Sequence, residues 1–186
     1  MSNERRIAIG VTGGIAAYKM AEVVSTLVKR GDDVVVAMTD AACRFIGEAT
    51  MEALSGHAVY RNMWTSHEQH ASAHIVLGRG VDAFLIAPCT MDMLAALAVG
   101  RADDPVSLLA ASIDRQTTPV LVAPSMNATM LAQPATQRHL VTLREDGFQI
   151  IEPEAGWQAC RTDGPGRLPE PAHLIAALDA AASRAM

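Results

Sequence analysis

Short apolar runs alternate with longer amphipathic ones along most of the chain. Arg6–Gly10 is a compact apolar run that reads as a buried strand. A glycine-rich turn follows over Val11–Gly14. Ile15–Arg30 then reads as a helix, with Ile15, Val23, Val24, Leu27 and Val28 on one side and Gly31 as its C-cap. Val34–Met38 is a second buried strand, and Thr39–Phe45 begins another helix. A strand, helix and strand of this size predict a parallel, right-handed unit. The alternation continues with a strand over Ala83–Ala87 ending at Pro88 and a helix over Met91–Val99 stopped by Gly100. A helix over Pro105–Ile113 and a strand over Pro119–Ala123 follow. Next come a helix over Pro134–Asp146 capped by Gly147, and a last strand over Phe148–Ile151. Glu154–Leu168 reads as a loop and Glu170–Arg184 as the terminal helix. The pattern predicts an α/β fold, a single-domain open parallel sheet flanked by helices on both faces.

Composition narrows the picture. The chain has 186 residues, of which 50% are hydrophobic and only 4% aromatic, so its core is built from small aliphatic side chains. Such a core suits helices lying on a parallel sheet and excludes bulk disorder. A formal net charge of −5 argues against a nucleic-acid partner. The longest apolar stretch, Ala83–Val99, contains Pro88 and Asp92, so no membrane span is expected. The N-terminus has no apolar run long enough for a signal peptide, which points to the cytoplasm. Cys43, Cys89 and Cys160 are odd in number and widely spaced, so neither a zinc site nor a disulfide framework is expected.

In open α/β sheets, ligands bind beyond the carboxyl ends of the strands. The sequence is unusual at nearly all of those positions. Gly13 and Gly14 let backbone amides approach an anion, or simply make a tight connection. Thr39 and Asp40 follow the second strand, where Thr39 can cap a helix or bind phosphate and Asp40 can meet a ribose. Among six histidines, His57, His67, His70, His139 and His173 read as solvated or loop residues, whereas His74 leads an apolar-periodic segment. His74 is either a partly buried capping residue or a base titrating near neutrality. In Pro124-Ser-Met-Asn-Ala-Thr-Met130, Asn127 can cap the next helix or bind a carboxylate, and the two methionines can pack in the core or wall a flat ring. Cys160 lies in a glycine-rich loop beside Arg161 and Arg167, a setting suited to a reactive thiol in a closing lid.

In order and spacing, these segments resemble the homo-oligomeric flavin-containing cysteine decarboxylase family, over about Arg6 to Leu178. Gly10-Val-Thr-Gly-Gly-Ile-Ala16 resembles the family's flavin-phosphate turn, and Ala87-Pro-Cys-Thr-Met-Asp-Met93 its second flavin segment. Ala73-His-Ile-Val-Leu77 places His74 at the family's active-site histidine. Pro124-x-Met-Asn-x-x-Met130 matches a family motif, and Ala159-Cys160 with Gly164-x-Gly-Arg167 resembles the substrate clamp. Ser125, Asp92, Arg161 and Leu168 depart from the family's usual Ala, Asn, Gly and Met.

The resemblance implies a Rossmann-like flavoprotein, one FMN-binding domain over 1–186 with a mobile clamp at about 154–168. It implies FMN held by Gly13, Gly14, Ile15, Ala16, Thr39, Asp40, Ala41, Thr90, Met91, Asp92, Met93 and Ser125. His74 would assist proton removal, Asn127 would bind the substrate carboxylate, and Cys160 would protonate the product. The branch implied is the one that decarboxylates 4'-phosphopantothenoylcysteine to 4'-phosphopantetheine in coenzyme A biosynthesis. It acts as a trimer or a multiple of trimers with flavin sites at subunit contacts. A pterin reductase and a non-enzymatic flavin-binding subunit share the scaffold and stand as alternatives.

Overall fold

In the structure, a computed structural model, residues 5–64 and 72–183 are described. His67, His70 and Arg184 lie outside them. Five parallel strands, β1 (Arg6–Val11), β2 (Asp33–Met38), β3 (Ala83–Cys89), β4 (Val120–Pro124) and β5 (Gln149–Ile150), form one sheet in the order β2-β1-β3-β4-β5. The chain reverses its direction of sheet growth between β1 and β3, and the crevice there is where such folds hold ligands.

The apolar runs of the strands are continuous because both faces of the sheet are covered. Alternate residues divide between two cores. Ile7, Ile9, Val34, Val36 and Leu85 pack under α1 (Lys19–Lys29), α2 (Glu48–Ser55) and α8 (Pro171–Ala182), meeting Met20, Leu27, Met51, Leu174 and Leu178. Ala8, Val35, Phe84, Ile86, Val120 and Val122 face α4 (Met91–Ala98), α5 (Pro105–Ala111) and α7 (Pro134–Glu145), meeting Leu94, Val106, Leu109, Leu140 and Leu143. Burying one such Leu or Ile side chain stabilises the fold by roughly 1.5–3 kcal/mol. The second core is tight enough that a Cβ on Gly10 would stand 2.8 Å from Val106 Cγ1. Two short helices, α3 (Ala73–Gly78) and α6 (Ala128–Leu131), complete the helical set of the described residues.

Four segments differ from the sequence expectation. The helix expected over Ile15–Arg30 opens as a 3-10 turn, Ile15–Tyr18, before α1 begins. The tighter turn shifts the side-chain phase, so Ile15 is 60% exposed rather than in the core with Val23 and Val24. The helix expected from Thr39 is a single 3-10 turn, Ala42–Arg44, with Thr39 Oγ1 accepting from the Ala42 amide at 3.2 Å. Gly47 separates it from α2, which the pattern did not reveal because only Met51 and Ser55 are buried in it. Strand β3 continues through Pro88 to Cys89, where it pairs with Pro124. Finally, Glu154–Leu168 is not a loop. It is an antiparallel hairpin of β6 (Glu154–Trp157) and β7 (Asp163–Arg167).

Candidate active site

The carboxyl ends of β1, β3 and β4 open onto two adjoining cavities of about 990 and 470 Å³, which share Gly13, Thr90, Met91 and Met130. The larger one is walled by Thr39–Ala41 and Thr90–Met93, with Arg61, Asp103 and Asp104 at its rim. The smaller one runs from Gly14–Ala16 to Ser125–Asn127 and is roofed by Trp157–Cys160 of the hairpin. Every residue proposed from the sequence to hold a flavin lines one of the two, as do Asn127 and Cys160.

His74 is the exception. It lies on α3, which packs on α5, and lines neither cavity. Its carbonyl accepts from Ser112 Oγ at 3.1 Å, and its buried Nδ1 has no hydrogen-bond partner among the described residues. The other described histidines divide: His57 and His173 are exposed and meet Asp33 and Glu154, whereas His139 is half-buried on α7, neither solvated nor in a loop.

Backbone approach builds the larger cavity. A Cβ on Gly13 would stand 2.4 Å from Ala41 Cβ, so only glycine lets the first turn lie against the segment after β2. Thr12 locks the neighbouring strand ends, its hydroxyl donating to Pro88 O at 2.6 Å and accepting from the Thr90 amide at 3.1 Å. Thr90 then caps α4 by accepting from the Met93 amide. The first amides of a helix have no intrahelical partner, so this end of α4 favours an anion or an electron-rich ring edge. Arg61 is held by Asp40 and Glu48 at the rim. A turn built on close backbone, a hydroxyl and helix amides suits a phosphate, and the apolar Met91 and Met130 suit a flat ring.

The hairpin is seated by backbone. Gly166 has φ +117° and a Cβ there would stand 2.1 Å from Met126 O, while its carbonyl accepts from the Met126 amide at 3.0 Å. The same segment places Asn127, whose Oδ1 accepts from the Met130 amide at 2.8 Å and caps α6. That bond leaves the Nδ2 protons of Asn127 for a ligand in the smaller cavity. The base of the hairpin is tied by Lys19, a buried ammonium donating to Leu168 O at 3.0 Å and facing Glu170 at 3.2 Å. Lys19 and Arg167 hold the Glu170 carboxyl below its usual range. The sequence reading missed Lys19. The available signal was a lysine in phase with Met20, Val23 and Leu27 on the apolar side of α1.

The three cysteines occupy different environments. Burial pushes the Cys89 thiol far up, and does the same less strongly for Cys43, so both are neutral packing residues. Cys160 is exposed at the hairpin tip and opens onto the smaller cavity. No group of three or more His, Cys, Asp or Glu among the described residues could hold a metal ion. No described helix is long and apolar enough to cross a membrane.

A family model described as Flavoprotein matches residues 1–183. The coenzyme A biosynthesis bifunctional protein CoaBC of Mycolicibacterium smegmatis is 45% identical over 170 residues, covering 91% of this chain and 40% of that protein. Its counterpart from Haemophilus influenzae is 39% identical over 176 residues, covering 95% of this chain and 43% of that protein. The chain thus spans about two-fifths of the length of these curated relatives. Among solved structures, the FMN-dependent cysteine decarboxylase SpaF is 32% identical with a TM-score of 0.83, covering 97% of both chains. A cysteine-to-serine mutant of a PPC decarboxylase, complexed with pantothenoylaminoethenethiol, is 26% identical with a TM-score of 0.88 and covers 96% of this chain and 98% of that one. The chain belongs to the Flavoprotein family, and its cofactor is a flavin.

Proposed function

We propose that this chain is a single FMN-binding domain that decarboxylates 4'-phosphopantothenoylcysteine to 4'-phosphopantetheine, a cytoplasmic step of coenzyme A biosynthesis. The observation that carries the reading is the convergence of Gly13–Ala16, Asn127 and Cys160, distant in sequence, on one cleft. The identity to the CoaBC proteins supports the choice of substrate.

FMN would be held at its phosphate by the Gly13–Ala16 turn and Thr39–Ala41, and along its ring by Thr90–Met93 and Ser125. When bound, it supplies a two-electron oxidation of the substrate's thiol-bearing carbon and the later return of those electrons. The chain's own residues do the rest. Asn127 donates through Nδ2 to the substrate carboxylate and fixes it over the ring. His74 takes the proton released as the thiol becomes a thioaldehyde. The thioaldehyde accepts the electron pair left by carbon dioxide, giving an enethiolate that a proton from water converts to the enethiol. Cys160 then donates its proton as the enethiol is reduced, and there is no net redox change. The hairpin over 154–168 acts as the clamp that keeps water from the exposed intermediate.

His74 lines neither cavity of its own copy, so this role requires a neighbouring one. The proposal therefore includes a homo-oligomer, a trimer or a multiple of trimers, in which α3 of one copy reaches the cleft of the next. Exposed Ile75 and Val76 on α3 support a covered position for that face.

The test is an anaerobic mixture of the yellow protein with phosphopantothenoylcysteine and no added reductant. Release of carbon dioxide and the mass of phosphopantetheine are expected. A yellow protein inert to this substrate but reoxidised by a dihydropterin after reduction would instead be a pterin reductase.

A further inference from the structure

Gln158 is buried at 8% exposure although its neighbours Trp157, Ala159 and Cys160 are all exposed. A polar side chain turned inward on a two-stranded ribbon needs partners, and this one has them. Its Nε2 donates to Pro165 O at 2.7 Å and approaches Gly164 O at 3.5 Å. Both partners are carbonyls, so the amide can sit only one way round, with Oε1 on the opposite side. There Oε1 stands 3.5 Å from Cys160 Sγ. Thr162 Oγ1 stands 3.0 Å from the same sulfur. The turn between them is closed by Gln158 N to Thr162 O and Arg161 N to Gln158 O, both 2.9 Å. Arg161 has φ +64° in it, a left-handed conformation that non-glycine residues seldom adopt. This tight turn brings Thr162 back to the sulfur.

The two neighbours of Sγ differ in what they can do. An amide oxygen only accepts, whereas a hydroxyl can also donate. A thiol carries one proton, and with Oε1 fixed beside it that proton has a dedicated acceptor. The threonine hydroxyl is left free to donate to sulfur. We propose that Gln158 and Thr162 are positioning residues for Cys160: Gln158 holds it as an oriented thiol, and Thr162 supports the sulfur after its proton has left. This rests on the decarboxylase reading only where it concerns turnover. In the enethiol reduction, the Sγ–H bond breaks with its electron pair kept on sulfur, and the proton joins one substrate carbon. The other carbon receives the hydride stored when the same substrate was oxidised. Water reprotonates the sulfur. Lys19, Arg167 and Glu170 line the same cavity, and exposed Arg161 and Asp163 flank Thr162. All five charges persist in the variants below, so they cancel from the comparison.

The test is alkylation of Cys160 by iodoacetamide across pH 6–10 in the flavin-loaded protein, read by peptide mass, with buried Cys89 as internal control. Thr162→Val removes a donor to the charged sulfur, so its profile is expected to move to higher pH, with about threefold slower alkylation in mid-range. Gln158→Leu removes the acceptor that favours the thiol, so its profile is expected to move to lower pH, with about threefold faster alkylation. Thr162→Ser is expected to restore the wild-type profile. Shifts in the same direction, no shifts, or a Gln158→Leu effect on the maximal rate alone would overturn the proposal, because hairpin loosening would give only the last. With phosphopantothenoylcysteine, Thr162→Val is expected to lower kcat with KM unchanged and leave the flavin reduced at steady state. If the wild-type protein ignores that substrate, the decarboxylase reading fails while the alkylation result still decides this one.

Discussion

The two ends of the parallel sheet are built on opposite principles. At the amino end, charges are paired around one buried carboxylate. Arg5 Nε and Arg30 Nε reach the two oxygens of Asp32 at 2.9 and 2.5 Å, and both guanidiniums also bind Asp179 on α8. The Asp32 side chain is only 6% exposed, so its charge is supported by two cations rather than by water. This four-residue knot ties the entry to β1, the turn before β2 and the terminal helix together. At the carboxyl end, strands stop in Thr12, Gly13, Thr39, Thr90 and Ser125, and the cleft is left open. These residues line the cleft, and close approach of backbone replaces side-chain packing, as at Gly13 and Gly166. One end of the sheet stabilises the fold; the other gives up packing to make room for a ligand. Changes at the two ends should therefore separate function from stability.

The largest expected effect is at the open end. Cys160→Ser should lower turnover by roughly 10²–10⁴-fold, the range lost with a proton-transfer group. Oxidised, decarboxylated product should accumulate with reduced flavin, and the melting temperature should stay within a degree or so of wild type. Normal phosphopantetheine formation by this variant would remove Cys160 from the mechanism.

Next is Gly13→Val. Its side chain cannot fit against Ala41, and displacing the turn should weaken flavin binding by about 10²-fold or more, near 3 kcal/mol. The purified protein should be colourless but still folded by circular dichroism. A yellow Gly13→Val protein would show that the first turn is not part of the flavin cradle.

At the closed end, Asp32→Ala should cost about 2 kcal/mol by leaving two guanidiniums short of an acceptor. For a chain of this size that lowers Tm by roughly 4–8 °C. Flavin content and turnover below the transition should be unaffected. Loss of flavin in Asp32→Ala at a temperature where it remains folded would mean that the two ends are coupled.

The smallest effect is Asp179→Asn, under about 1 kcal/mol because this carboxylate is 38% exposed. Arg30, and then Arg5, hold the Asp179 carboxyl below its usual range. A carboxyl depressed in the folded state contributes stability that is present above its unfolded pKa, near 3.9, and lost as pH falls through the lower folded value. The gap in Tm between wild type and Asp179→Asn should therefore be full at pH 6 and shrink below about pH 4. A gap constant down to pH 2 would show that the ion pair contributes nothing.

Most of the sheet was legible because buried parallel strands are short, wholly apolar and punctuated by Gly or Pro, as in Arg6–Gly10 and Pro119–Ala123. Helices with two or more turns against a core, such as α1 and α7, were legible from their period. What escaped was decided by weak local signals. Helix α2 buries only two residues, and the hairpin has a glycine- and proline-rich sequence that looks like a loop. Its strands exist because Gly166 can lie against Met126 and because Gln158 turns inward to satisfy the carbonyls of Gly164 and Pro165.

By itself the sequence determined the fold class, the family and the list of strand-end residues that face a ligand, because these follow from periodicity and from local motifs. Which of those residues meet was settled only in three dimensions. Thr39 and Asn127 each turned out to cap a helical turn while also lining the cleft, a pair of roles that local sequence presents as alternatives. Lys19 acquired its work from Leu168 and Glu170, some 150 residues away. His74, placed in the active site by resemblance, lines neither cavity, because α3 packs on α5 and is bonded to Ser112 outside the cleft. Local sequence specifies what a residue can do; the packing of distant segments decides what it is given to act on.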